Sequence, residues 1–196
     1  VRFFLTSILL IGILITRPAY AATIQIPPGN VADLIAAINT ANDESANPGP
    51  DIISLAPNSI YTLTTLYDWY GGLPSITSQI TINGNGSTIQ RDSTAAPFRI
   101  FLVDGTGDLT INGLTISNGG RADGGGIYNQ FGKLQVNDSI FSNNDAPEHG
   151  SAINNVVGIV TITNSTFFGN TGNYSVTSRD GGQVDISNSF FSNNPG

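Results

Sequence analysis

Leu109-Thr-Ile-Asn112 returns as Leu134-Gln-Val-Asn137, as Val160-Thr-Ile-Thr163 and as Val184-Asp-Ile-Ser187. Subtracting the first positions gives steps of 25, 26 and 24 residues. A fixed period of this length, built from strand-like units, marks a stacked solenoid. In every unit the first and third residues are apolar, the period-two pattern of a strand with one face inward. Asn, Gly, Asp, Thr or Ser follow, which suit a bend and tolerate left-handed backbone. A second short strand then points two residues inward: Leu114 and Ile116, Ser139 and Phe141, Ser165 and Phe167, Ser189 and Phe191. Asn144, Asn170 and Asn194 close the block.

A third element precedes each unit, as Gly124-Gly-Gly-Ile127 and Gly150-Ser-Ala-Ile153. Each coil thus carries three short strands separated by bends. Coils in register, about 4.8 Å apart, bring Phe141, Phe167 and Phe191 over one another. They also stack Asn144, Asn170 and Asn194, whose amides can pair along the axis and satisfy the turn backbone. The expected fold is all-β: a right-handed parallel β-helix of about five coils. The hand follows from the usual preference of parallel crossovers.

Upstream, strand-like pieces are expected at 23–26, 52–55, 60–63, 80–82 and 98–103, with Ile89 in another. One helix is expected. Asn30 can cap it, Asp33 suits its first turn, and Val31, Leu34, Ile35 and Ile38 have helical spacing. Its task would be to cover the apolar end of the stack. Residues 66–74 form an insert that holds the only Trp. At the far end, after Asn194, no capping helix is expected. The open coil edge then implies further coils, an anchor domain beyond residue 196, or a docked partner.

Val1-Arg2 followed by the apolar run 3–15 has the pattern of a secretory signal peptide. The run is shorter than the ~20 residues that span a bilayer. Ala19-Tyr-Ala21 offers small residues where a signal peptidase reads, placing cleavage before Ala22. The organisation is then leader 1–21, strand and capping helix 22–50, and β-helix 51–196. The chain opens on Val and contains no Met. That fits a non-standard start codon or a fragment.

Only 11% of residues are charged, against about 25% in an average soluble protein. Net charge is −7, and loss of Arg2 and Arg17 would take it to about −9. Without a basic patch, nucleic acid and anionic membranes are poor partners. Zero Cys excludes a disulfide framework, a thiolate nucleophile and a Cys zinc site. No Gly-Lys-Ser/Thr phosphate loop occurs.

Gly124-Gly-Gly-Ile, Gly150-Ser-Ala-Ile and the Phe-x-x-Asn blocks resemble the polymorphic outer membrane protein repeats, whose hallmark pair is Gly-Gly-Ala-Ile and Phe-x-x-Asn. The N-terminal half is similar to the opening of secreted bacterial β-helix proteins of the pectin-lyase-like class. The matching stretches are Ile26-Pro-Pro-Gly-Asn30, the run 34–42, Gly72-Leu-Pro-Ser-Ile76, Ile82-Asn-Gly-Asn-Gly86 and Phe98-Arg-Ile100. The resemblance implies a surface-exposed or secreted protein, often an adhesin. The sequence departs from the pattern in the third coil, 171–182, which lacks the Gly-Gly-Ala-Ile element. It also shows no membrane-barrel segment.

On the same scaffold, lyases and hydrolases use Asp clusters with Arg or Lys, and in many lyases Ca²⁺. Charged residues recur after the strand blocks: Arg91-Asp92, Arg121 with Asp123, Asp145 with Glu148 and His149, and Arg179-Asp180. Stacked coils could align them as one stripe that binds a sugar or Ca²⁺, the one cofactor left open. The plainer reading is that they are polar loop tips, with His149 a solvated neighbour of Glu148. Tyr67, Trp69 and Tyr70 could stack on sugar rings, or pack the insert onto the coil edge. Three functions remain: a non-catalytic display or adhesion module, a polysaccharide lyase or glycoside hydrolase, and a carbohydrate-binding module. The first is favoured, with surface glycans or cell-surface proteins as partners, because no fixed carboxylate cluster is visible.

Overall fold

The computed structural model describes residues 23–195 apart from Trp69 and Tyr70. The leader and those two aromatic residues therefore lie outside the described residues. The chain winds as a parallel β-solenoid. The first sheet has seven strands, the second six and the third four, which makes six turns. The first sheet runs from Thr23–Ile26 to Gln183–Ser187, and the repeat seen in the sequence is its stacking register. Leu134 lies opposite Leu109 and Val160, and Val160 lies opposite Val184. Leu109, Ile111, Val136, Val160 and Ile162 are wholly buried.

The six turns bear out the expected β-helix of about five coils; the early coils are longer than the later ones and share no motif. Ile53 pairs with Ile82 and Ile80 with Leu109, steps of 29 residues by subtraction. The bends, not the strands, absorb the extra length.

The second sheet carries the aromatic column. Phe141 and Phe167 stack with centroids 5.0 Å apart, Phe167 and Phe191 at 4.5 Å, all nearly parallel. Beside it, Asn144 donates its amide to Asn170 Oδ1 at 3.0 Å, and Asn170 donates to Asn194 at 3.1 Å. The same amides reach the carbonyls of Ile116 and Phe141, and Asn144 Oδ1 accepts from the Gly119 N–H. One side chain thus satisfies backbone groups that a bend would leave orphaned in the interior. The core has a second such ladder, Asn129 to Asn155 at 2.8 Å, inside the third sheet. A third, Asn83–Asn112–Asn137, lies along the outer edge of the first sheet.

The third sheet comprises Phe101–Asp104, Ile127–Gln130, Ile153–Val156 and Val176–Arg179. Its last strand forms although the Gly-Gly-Ala-Ile element is lost there, since Val176 supplies the apolar residue opposite Ile153. Gly124 and Gly150 enter this sheet with left-handed backbone, φ 59° and 56°. A Cβ on Gly124 would lie 2.6 Å from the Ile127 carbonyl oxygen. In the last coil Tyr174 takes the equivalent place at φ 56°, as the bonds Gly124 N–H to His149 O and Gly150 N–H to Asn173 O show.

The helix Val31–Asn42 covers the first turn. Asn30 caps it, its side chain accepting the Asp33 N–H at 3.0 Å. Leu34, Ala37, Ile38 and Ala41 form the buried stripe, with Val31 and Ile35 on its half-buried flank. Asn42 ties the helix end to the coil by donating to Ser75 O and accepting from Thr77 N–H. At the opposite end Ile186 and Phe191 are 45% and 41% exposed beside a cavity of about 440 Å³ lined by no charged residue. No described helix is long and apolar enough to cross a membrane.

Two outcomes test this account by urea unfolding. Asn144→Leu strands the Ile116 carbonyl and the Gly119 N–H of the preceding coil and should cost about 3 kcal/mol. Tyr174→Gly relieves left-handed strain at an exposed side chain and should gain about 1 kcal/mol.

Candidate ligand-binding site

The segments that lead from the second sheet into the third run side by side in successive coils. Asp123 and His149 are direct neighbours there, joined by a parallel bridge. This stacking places His149 Nδ1 2.7 Å from Asp123 Oδ1. Arg179 belongs to the next coil and reaches back from the end of its strand. Its guanidinium nitrogens lie 3.2 and 3.4 Å from the two ring nitrogens of His149 and 3.8 Å from Asp123 Oδ1. The bond to Asp123 places a proton on Nδ1, and Arg179 Nη1 lies close to both ring nitrogens. Glu148 completes the group, with ligand atoms of Asp123, Glu148 and His149 all within 4.8 Å of one another. His149 is therefore a paired residue and not a solvated loop tip. The three side chains in the ion pairs are a quarter to a third exposed, so the cluster opens to solvent.

The expected single stripe is only partly formed. Arg121 lies beside Asp123, half-buried, its N–H bonded to the Asp145 carbonyl. Asp145 turns to its own neighbour in the next coil, accepting from the Thr171 hydroxyl at 2.7 Å. Asp180 follows Arg179 in an exposed left-handed turn, at the opposite end of the strand from Asp123 and Glu148. The reason is local: the segment 169–175 that enters the third sheet in that coil has no charged residue. Arg91 is structural, donating to the carbonyls of Asn118, Asp92 and Ala95. Tyr67 accepts from the Asn39 amide at 3.0 Å, so this part of the insert packs on the capping helix.

Three further residues share the outer face of the third sheet. Tyr128 and Asn154 point outward by alternation with Ile127 and Ile153, which lie in the core. Arg99 lays its guanidinium 4.4 Å over the Tyr128 ring. It is only 8% exposed and its Nε has no hydrogen-bond partner. Burial, and next the charge of Arg121, push Arg99 down to about 10. An arginine set inside the apolar run Phe98-Arg-Ile-Phe101 was the signal in the sequence for such a residue. Asn154 is fully buried; it accepts from the Thr177 hydroxyl at 2.8 Å while its own amide finds no acceptor.

As a metal centre, Asp123, Glu148 and His149 offer three donors. Ca²⁺ takes six to eight oxygens, which two carboxylates and an imidazole do not approach. Arg179 already occupies the space beside His149 and Asp123, and its charge opposes any cation. The arrangement is better suited to hydrogen bonding than to metal binding.

A buried cation without an anionic partner costs stability. Arg99→Met keeps the bulk over Tyr128 and removes the charge. It should raise the unfolding free energy of the unliganded chain by about 2 kcal/mol, read by urea denaturation at pH 7. In comparisons with known proteins, no family model, no curated protein and no solved structure gives a significant match to this chain.

Proposed function

We propose that the chain is an exported β-helix module that displays a binding face at the cell surface or in the medium, adhesin-like and without turnover. The observation that carries this reading is the self-contained Asp123–His149–Arg179 cluster on a ladder-stiffened sheet. The polar atoms a catalyst would need are spent on one another: His149 Nδ1 on Asp123, and Arg179 on both. Glycoside hydrolysis needs one carboxyl free to give a proton and a second free to attack or activate water. Export is supported by Val1-Arg2, the apolar run 3–15, Ala19-Tyr-Ala21 and the absence of Cys. Display is supported by the Phe-x-x-Asn and Gly-Gly-x-Ile repeats, which resemble those of surface proteins. Glycans or cell-surface proteins are the partners this reading favours.

One observation speaks for catalysis as the second reading. Asp123 and Glu148 hold carboxylate oxygens within 4.8 Å of each other beside His149, a candidate acid–base group for a polysaccharide hydrolase or lyase. Glycan-array binding together with turnover assays on uronide and neutral polysaccharides separates the two. Saturable binding without product is expected. Turnover that disappears in Asp123→Ala would overturn the binding module.

A further inference from the structure

Three N–H donors on the outer side of the third sheet have no acceptor: Arg99 Nε, Asn154 Nδ2 and Arg179 Nε. They follow one another along the stack. Arg99 covers Tyr128, and Asn154 is the residue paired with Tyr128 in the next coil. Thr177 pairs with Asn154 in the coil after that, and Arg179 stands two residues beyond it on the same side. All three orphans are donors. Native interiors leave few such groups unmatched, and charged ones least of all.

The charges point the same way. Arg179 pairs with Asp123, and Arg99 feels the charges of both Arg121 and Asp123, so three arginines gather around one carboxylate on a chain whose net charge is −7. Three of the five cationic side chains of the described residues stand on the third sheet or the segments entering it; Arg91 ends a strand of the second sheet and Lys133 is on the first. Arg91 is bonded to carbonyls, so Arg99 and Arg121 are the two with no carboxylate or carbonyl bonded to the guanidinium. Burial and then the charge of Arg121 lower Arg99, and Tyr128 and Asp123 offset this only in part.

We propose that the outer face of the third sheet, between Arg99 and Arg179, recognises an oxyanion: a carboxylate or sulfate group carried by the ligand. The proposal rests on the binding-module reading and names the group that the module would hold. A guanidinium offers a planar fork that matches such a group. Asp123 and Glu148 favour a ligand with a single charge and hydroxyls beside it, because they accept hydrogen bonds and repel a second anion.

The test is an NMR titration of the full chain at constant ionic strength, following the arginine Nε–H signals. The probes are glucuronate, glucose 6-sulfate and glucose. Saturable shifts of the Arg99 and Arg179 signals with an acidic sugar and none with glucose are expected, and the two acidic probes tell carboxylate from sulfate. Arg99→Lys keeps the charge but loses the fork, and should weaken binding at least about tenfold with an unchanged melting midpoint. Lys133→Gln, on the first sheet, should bind as the parent does. Absence of saturation with both acidic sugars overturns the oxyanion site. So does equal binding of glucose, or parental affinity in Arg99→Lys; binding of a neutral glycan on the array would then leave the module itself standing.

Discussion

A buried amide that can be satisfied only by the next coil is the constraint on which this molecule rests. Asn144 cannot complete its bonds within its own turn. It needs Ile116 on one side and Asn170 on the other. The same holds for Asn170, while in the third sheet Asn129 and Asn155 each bond a carbonyl of their own turn and Asn129 also reaches Asn155. A slip of one residue would break every rung and would turn the alternating Leu, Ile and Val residues outward. Apolar burial makes stacking favourable; the amides decide which residue lies over which. Register is thus a polar property of a largely apolar core.

That division explains what could be read in the sequence. Positions that recur must be alike because they touch their own copies, so Leu109, Phe141 and Asn144 announce themselves through Leu134, Phe167 and Asn170. The coil number was harder to read. The early turns take 29 residues where later ones take 24 to 26, and their bends share no motif. Loop length costs little in a stack, so bends vary where strands do not.

The site was legible only in part, for the opposite reason: its residues do not recur. Asp123 and His149 stand out as polar residues in equivalent bends, and their pairing follows from stacking. Arg179 joins them across a coil from the far end of a strand, a path that no spacing reveals. Arg99 and Asn154 hide inside apolar or repetitive runs. Their importance lies in bonds they fail to make, and a missing bond leaves no pattern in a sequence.

Arg99, Tyr128, Asn154 and Arg179 come from four successive turns. Each turn contributes one element to the outer face, at intervals set by the strand spacing of about 4.8 Å. The face is consequently a kind of printed line, with one character per turn. Loss or duplication of a whole turn in the course of descent would leave the core intact and respell that line. Evolution can therefore edit what the surface reads without renegotiating what holds the molecule together.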